Sequence, residues 1–298
     1  VSGRWSAGGD NGALQLQNVA RDSRIKEAIV APMGYSVVAF DLSTVEVRVN
    51  MYLAGQSDQL DVIRAGKDVY KEFAAIVYGV KPEEVTKPQR YVAKVCILGL
   101  GFGSSAPVLR KSIKLGSGVD VGEDESKRLV QVYREVHDKV VKAWYKGNEV
   151  LEAIRDNAEY VYAPGYLPLC VRGSQGIQLP SGLYIKYPNL RQFTNEEGRH
   201  EWSYEGRRGV KKKIYSSKVT QNCTQSVARC VMGEAMVRIN KRYPISLTVH
   251  DSCFVVVPQE EAQIAYDFMH EAMTVSPKWA PDLPLAAEGA IGQNIGCL

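Results

Sequence analysis

Two aspartates at the ends of apolar segments could hold metal ions. Asp41 ends the segment Ser36-Val-Val-Ala-Phe-Asp41, and Asp251 lies in a short connection between Leu247-Thr-Val and Phe254-Val-Val-Val257. Short apolar, β-branched segments are typical of buried strands. Carboxylates on adjacent strands can share two divalent cations, which stabilise the attacking and leaving oxygens of a phosphoryl displacement. A lone aspartate at a strand end is more often a turn former, so the pair leaves both interpretations open.

A second group of residues recurs at four-residue steps. Arg90, Lys94, Leu98 and Phe102 would stand on one face of a helix. Two cations followed by an apolar and an aromatic side chain match the phosphates, sugar and base of a nucleoside triphosphate. Taken alone, the same pattern also fits a surface helix with solvated basic residues.

The glycines of this stretch allow a competing hypothesis. Val95-Cys-Ile-Leu-Gly99-Leu-Gly101-Phe-Gly103 could be a strand entering a glycine-rich turn, with acids following at Asp120 and Glu123. That order would suit a dinucleotide site. Against it, Ser104 stands at the third glycine position, and no clear parallel sheet precedes the turn.

A basic and aromatic segment lies further along the chain. Residues 199–218 contain seven Lys and Arg residues against two Glu, with Trp202, Tyr204 and Tyr215 between them. Such a segment can neutralise phosphates and stack on bases. A solvated hairpin is the alternative interpretation.

Three motifs together carry a family resemblance. Asp41-Leu-Ser-Thr-Val-Glu-Val-Arg48 resembles motif A of the A-family (DNA polymerase I type) DNA polymerases, D-Y-S-x-I-E-L-R. The series from Arg90 to Gly103 resembles motif B, R-x-x-x-K-x-x-x-[FY]-G-x-x-Y-G, and Val249-His-Asp251 resembles motif C, V-H-D-E. Their order and separations also match. Weaker similarities are Ser2-Gly-Arg4, Leu16-Gln-Asn-Val19, Gly66-Lys-Asp-Val-Tyr70 and, as in phage-type members, Lys218-Val-Thr-Gln-Asn-Cys-Thr-Gln225.

The resemblance implies template-directed DNA synthesis from dNTPs. It implies that Asp41, Asp251 and the backbone carbonyl of Leu42 hold two Mg²⁺ ions, as in other two-metal sites. Arg90, Lys94 and Tyr70 would contact the triphosphate, with Lys94 also protonating pyrophosphate. Glu46 would exclude ribonucleotides, and Leu98 and Phe102 would line the nucleotide pocket. The residues implied to contact primer–template DNA are Arg4, Gln17, Asn18, Arg48, Gln221, Gln225 and His250.

Three positions depart from the family pattern. Leu98 replaces a Phe or Tyr, Phe102 replaces a Tyr, and Ser252 replaces the Glu after the aspartate of motif C. Without a hydroxyl at Phe102, Glu46 lacks its usual hydrogen-bond partner. The alternatives kept open are a polymerase-like subunit that only binds nucleic acid, a single-subunit RNA polymerase and a dinucleotide-dependent enzyme.

The hydrophobic periodicity predicts the elements that position these residues. We expect one long amphipathic helix over 123–157, turns and hairpins over 157–218, and helices over 220–240 and 259–273. Residues 43–53 could be extended or helical. The predicted fold is α+β: a palm with an antiparallel sheet (1–55 and 219–298) and an inserted, mainly helical fingers subdomain (56–218).

Composition limits the class of protein. With 298 residues, 45% hydrophobic and 23% charged, the chain is an ordinary globular protein, and a net charge of +4 does not by itself require a polyanionic partner. The six cysteines have no zinc-ligand spacing, and no long apolar run is present, so we expect reduced thiols, a cytoplasmic location (bacterial or phage-infected) and no membrane partner. The motifs start near residue 2, so we expect the thumb and exonuclease regions on another stretch of polypeptide or a partner subunit.

Overall fold

The computed structural model describes residues 24–206 and 209–298, in two compact units. Of the described residues, those in the range 46–224 form one unit, and residues 24–45 together with 225–298 form the other. The helices are α1 (Arg24–Glu27), α2 (Val45–Ala54), α3 (Ser57–Arg64), α4 (Val69–Tyr78), α5 (Lys87–Leu100), α6 (Ala106–Ser117), α7 (Glu123–Val136), α8 (Asp138–Arg155), α9 (Ser216–Asn240) and α10 (Ala262–Thr274). The strands are β1 (Tyr35–Leu42), β2 (Glu159–Tyr162), β3 (Leu169–Arg172), β4 (Ile177–Gln178), β5 (Tyr184–Ile185), β6 (Arg191–Thr194), β7 (His200–Glu205), β8 (Lys211–Ile214), β9 (Ile245–Val249), β10 (Ser252–Pro258) and β11 (Ala287–Gly292).

The unit formed by residues 24–45 and 225–298 is built on a four-stranded antiparallel sheet. Its strand order is β11-β1-β10-β9. Both faces of β1 are covered, which explains its continuous apolar sequence. Phe40 packs against Tyr266 of α10, with ring centroids 4.7 Å apart. Val37 and Ala39 point to the opposite face, where they form a second cluster with Phe254.

The predicted α+β class with an antiparallel sheet is confirmed. Residues 45–54 are helical, which settles the ambiguity over that segment. The hairpin-rich region contains β2 to β8 in two small antiparallel sheets, and α9 begins at Ser216, four residues earlier than predicted. Across the described ranges, every helix is too short or too polar to cross a membrane.

The helix α5 removes the premise of the dinucleotide hypothesis. Residues from Lys87 to Leu100 form one continuous helix, so Val95 to Gly99 do not form a strand. The competing hypothesis of a strand entering a glycine-rich turn is therefore wrong, and the helix expected from Arg90 onward is present. The helix is stabilised because the apolar residues Val92, Cys96 and Leu100 recur at helical spacing and are all buried.

The prediction of one helix over 123–157 is also wrong, because the chain breaks at His137 into α7 and α8. No Gly or Pro marks the break. His137 is fully buried and stacks on Tyr133, with ring centroids 4.3 Å apart. The Gln56 side chain donates to the carbonyl of Val136 (3.3 Å) and accepts from the N–H of Lys139 (3.1 Å). These bonds provide partners for a carbonyl and an N–H at the two helix ends that meet at the break. A contact from a distant segment therefore stabilises the break.

The described part of the basic and aromatic segment forms β7 and β8 of the sheet β6-β7-β8 and the first residues of α9. Trp202 and Tyr204 share one strand face and are buried, so their rings are not available to stack on bases. Lys213 is paired with Glu201 at 2.5 Å. Of the three aromatic residues, Tyr215 remains exposed. The described part of this segment favours the hairpin interpretation over a base-stacking surface.

The buried His137 should make the stability of the protein depend on pH. Burial lowers the pKa of His137 from 6.5 to about 4 in the folded state. Between pH 6.5 and 4 the unfolded chain binds a proton that the folded chain does not bind, so the free energy of unfolding falls as pH decreases. The expected loss from this group is about 3 kcal/mol. Urea unfolding of His137→Phe at pH 7 and pH 4.5 should show a smaller loss than wild type. The exposed His200→Phe serves as control, and equal pH dependence in all three proteins would contradict the prediction.

Candidate active site

The sheet brings Asp41 and Asp251 to the same end of neighbouring strands. Asp41 lies opposite Ser252 in the β1–β10 register, and Asp251 is the residue immediately before Ser252. The backbone N–H of Leu42 donates to the carbonyl of Asp251 at 3.1 Å, which ties the two segments together. Both aspartates are partly exposed. Two aspartates from different parts of the sequence therefore lie at the same end of adjacent strands.

Unusual backbone conformations lie close to both aspartates. Thr44, between β1 and α2, has φ 53°, and His250, before Asp251 in the two-residue β9–β10 turn, has φ 49°. Positive φ is unfavourable for residues other than glycine, above all for a β-branched one. Such conformations concentrate at functional sites, where the surrounding structure maintains them. The two strained turns thus mark the same edge of the sheet as the carboxylates.

Asp41 is held by a hydrogen bond from Ser252. The Ser252 hydroxyl donates to Oδ1 of Asp41 at 2.6 Å. Glu288 of β11 lies opposite Asp41 on the other side. A cavity of about 430 Å³ borders both aspartates, Ser252 and Glu288.

The other predicted group of residues lies on α5. The Thr86 hydroxyl caps the start of this helix, and Pro88 occupies its first turn. Lys94 and Leu98 are exposed, on the face opposite the buried apolar residues. Phe102 follows the helix end and is partly exposed. The predicted stripe is therefore present as an accessible face.

Arg90, Tyr70 and Asp68 form one cluster. Asp68 caps the start of α4 by accepting from the N–H groups of Tyr70 and Lys71, and it accepts from Nε of Arg90 at 2.6 Å. The Arg90 guanidinium lies 5.3 Å from the centre of the Tyr70 ring. Burial raises the pKa of Tyr70 to about 12, so its phenol stays protonated. Arg48 interacts electrostatically with Tyr70, and burial lowers the pKa of Arg48.

A buried polar network fixes the end of α5. The carbonyl of Gly101 accepts from the Asn50 side chain at 3.2 Å and from the Trp144 indole at 3.0 Å. Thr224 donates to the other side of the Asn50 amide at 3.5 Å. Gly103 has φ 76°, and a Cβ there would lie 2.5 Å from the Ser217 hydroxyl, so a larger residue is excluded.

Comparison with known proteins places these features in a family. The model of "DNA polymerase family A" matches residues 3–163. The DNA polymerase of Bacillus phage SP02 is 28% identical over 278 residues, covering 90% of this chain and 42% of that protein. A thermostable DNA polymerase I of Thermus thermophilus is 31% identical over 99% of this chain and 31% of that protein.

The family model covers more than half of the sequence. The chain belongs to DNA polymerase family A. A solved structure, the POL domain of Pol1 from M. smegmatis in complex with DNA primer-template and dNTP, has the same fold. Its TM-score is 0.70 at 19% identity, over 99% of this chain and 46% of that one. The chain thus spans less than half the length of these family A relatives.

The family A residues implied to contact DNA are placed in different parts of the structure. Gln221 and Gln225 are partly exposed on α9, and Lys218 donates to Gln221 at 2.7 Å. His250 is exposed in the β9–β10 turn. Arg48 is next to Tyr70, among the residues predicted to contact the triphosphate. Arg4, Gln17 and Asn18 lie outside the described residues.

The donor set at the sheet edge fits magnesium. Mg²⁺ prefers oxygen ligands and is usually bound by one or two carboxylates together with waters and substrate phosphates. Asp41 and Asp251 supply two such carboxylates. Within residues 24–206 and 209–298, no group of three or more His, Cys, Asp and Glu side chains is placed to enclose a metal ion. The carboxylates of Asp41 and Asp251 are thus ligands of the type that Mg²⁺ binds.

Sequence reasoning missed several residues that hold the predicted side chains or their helices in place. Asp68 was part of a weak motif, but its ion pair with Arg90 joins residues 22 positions apart. Asn50 lies two residues beyond motif A, and its amide contacts residues 51 and 174 positions away. From the sequence, Ser252 is visible only as the residue that replaces the glutamate of motif C. The one available signal was a polar residue at an otherwise apolar helical position, as with Asn50 in Val49-Asn-Met51.

Proposed function

We propose that this chain carries the nucleotidyl-transfer site of a template-directed DNA polymerase. The chemistry is addition of a dNTP to a primer 3′-hydroxyl: a bond forms between that oxygen and the α-phosphorus, and the bond to pyrophosphate breaks. The observation that carries the proposal is the position of Asp41 and Asp251 at the same end of the adjacent strands β1 and β10. Membership of family A supports the same reaction.

Each proposed role follows from a side chain's chemistry. Asp41, Asp251 and the carbonyl of Leu42 would hold two Mg²⁺ ions. When bound, such ions lower the pKa of the attacking hydroxyl and offset charge on the leaving pyrophosphate. Arg90 binds triphosphate oxygens, since its guanidinium can form paired, charge-assisted hydrogen bonds.

Lys94 is suited to deliver a proton to the pyrophosphate leaving group. Its side chain is exposed and therefore accessible to a substrate. Tyr70 would contribute a protonated phenol as a hydrogen-bond donor. Arg48 would add positive charge near that phenol, which supports a role on the triphosphate side in addition to the DNA contact proposed for it.

The proposed division assigns residues 1–55 and 219–298 to a palm and 56–218 to fingers. The compact units divide the chain at residues 45 and 224. Primer–template DNA and dNTPs are the proposed partners, with Gln221, Gln225 and His250 as DNA contacts. The polymerase of phage SP02 is more than twice as long as the matched part. The proposal therefore includes a thumb and further regions, either elsewhere on the same polypeptide or on a partner subunit.

Primer extension tests this function. The chain is mixed with a labelled primer on a template, Mg²⁺ and each dNTP in turn, and we expect addition of the nucleotide dictated by the template. Primer–template binding without extension would contradict the proposal and favour a non-catalytic nucleic-acid-binding role. A preference for ribonucleotides would favour the RNA polymerase alternative.

Glu46 should control the choice of sugar. It lies in the first turn of α2, five residues after Asp41, where it would exclude a 2′-hydroxyl by its size. We expect Glu46→Ala to reduce the preference for dNTP over rNTP, measured as the ratio of kcat/KM values, by about 100-fold. Glu46→Gln keeps the size of the side chain and should retain most of the preference. Equal loss in both variants would show that the charge, and not the bulk, selects the sugar.

A further inference from the structure

Ser252 occupies a position with direct access to Asp41. It is the first residue of β10, it follows Asp251 in sequence, and its Cα is paired with that of Asp41 across the sheet. Directly opposite residues in an antiparallel pair have side chains on the same face. The Oγ to Oδ1 distance of 2.6 Å is in the range of strong hydrogen bonds from a hydroxyl to a carboxylate.

The chemistry at this position differs from the family pattern. A glutamate in motif C would be an acceptor when ionised, and it would repel the Asp41 carboxylate. A serine hydroxyl donates instead, so it can fix the orientation of Asp41. Ser252 is partly buried, which shields this hydrogen bond from competing water.

Glu288, the neighbour of Asp41 on β11, does not replace the carboxylate of the motif C glutamate that is absent at position 252. Glu288 lies opposite Asp41 in the β1–β11 register and is exposed. Even so, the described residues contain no grouping of three acidic, histidine or cysteine side chains around one point. The hydrogen bond to Oδ1 of Asp41 comes instead from Ser252, on the β10 side.

We propose that Ser252 is a positioning residue, which holds Oδ1 of Asp41 so that the remaining carboxylate lone pairs are directed at a divalent cation. This proposal rests on the proposed function, since it assigns Asp41 to metal binding. It predicts that removing the hydroxyl weakens metal binding although Ser252 itself is not a ligand. Loss of a partner that orients a metal ligand typically lowers metal affinity by about 10- to 100-fold.

Direct Mn²⁺ binding to the isolated chain, followed by electron paramagnetic resonance without DNA or dNTP, tests the proposal. Ser252→Thr and Ser252→Val form the matched pair, because they differ only by a hydroxyl and a methyl group and both suit a strand. We expect Ser252→Thr to bind Mn²⁺ within about three-fold of wild type, and Ser252→Val and Ser252→Ala to bind Mn²⁺ at least about 10-fold more weakly. Ser112→Ala, which removes a hydroxyl bonded to a backbone carbonyl in α6, should have no effect.

Two outcomes would overturn the proposal. One is Mn²⁺ affinity of Ser252→Val within two-fold of the Thr variant, with both proteins folded by circular dichroism. The other is unchanged affinity in Asp41→Asn, because Ser252 is proposed to act through Asp41. If Mn²⁺ affinity changes in these variants as expected but wild type does not extend a primer, the polymerase proposal alone is rejected. The two failures are therefore distinguishable.

Discussion

Replacing Asp41 or Asp251 by asparagine is expected to slow primer extension by at least about 1000-fold, equivalent to about 4 kcal/mol in the activation barrier. Asparagine has nearly the same size as aspartate, and at position 41 it can still accept the Ser252 hydrogen bond. It lacks the negative charge needed to hold a divalent cation between protein and phosphate. The loss should therefore appear in kcat, while primer–template affinity is retained because removing negative charge does not oppose phosphate binding. Single-nucleotide incorporation rates and DNA-binding titrations measure the two quantities.

Glu288→Gln is the matched control for this experiment. It removes one negative charge from the residue paired with Asp41 on β11, in the same cavity wall. Because Glu288 is not a proposed ligand, its loss should change the rate less than about ten-fold. The double variant of both aspartates should be little worse than either single one, since residues that act as one unit are not additive. Rates within ten-fold of wild type in both aspartate variants would reject the two-carboxylate site, and an equal loss in Glu288→Gln would indicate a general charge effect.

The sequence contains enough local information to locate the strands and helices that carry the motifs. The apolar run before Asp41 gives β1, and the four-residue recurrence from Arg90 gives an exposed face of α5. These features are local in sequence, so periodicity alone reports them. The combination of motifs then identifies the family, because each fragment taken separately also fits a turn, a surface helix or a dinucleotide site.

The contacts that orient the site could not be predicted, because their partners are distant in the chain. Ser252 and Asp41 are 211 residues apart, and Gln56 stabilises the helix break about 80 residues away. The missed burial of Trp202 and Tyr204 has a different cause. Their two-residue spacing is the pattern of one strand face, which predicts burial in a hairpin as readily as nucleic-acid binding. The periodicity of a segment therefore predicts which of its residues are buried better than its composition does.

Arg90→Ala is expected to raise the KM for dNTP by about 100-fold, with a smaller change in kcat. Loss of two charge-assisted hydrogen bonds to triphosphate oxygens would cost about 3 kcal/mol or more. The structure indicates that Arg90 is already oriented before a nucleotide binds, because Nε is bonded to Asp68 and the guanidinium lies over Tyr70. Arg90→Lys keeps the charge but loses this planar geometry, so we expect an intermediate increase of about ten-fold. Steady-state kinetics of single-nucleotide addition gives these values, and an unchanged KM in Arg90→Ala would reject the triphosphate contact.

Asp68→Asn tests whether the ion pair orients Arg90 for binding the triphosphate or competes with the triphosphate for Arg90. Asparagine caps a helix as well as aspartate does, so α4 should stay folded while the charge that holds Arg90 is removed. If Asp68 orients the guanidinium, its loss frees Arg90 to adopt other rotamers, and the KM for dNTP rises by a few-fold. If Asp68 instead competes with phosphate for Arg90, the same substitution lowers the KM. We expect the increase, because the hydrogen bond to Asp68 uses Nε and not the terminal nitrogens that would contact phosphate. In Arg90→Ala the Asp68→Asn substitution should have no further effect on KM, since the residue through which it acts is absent.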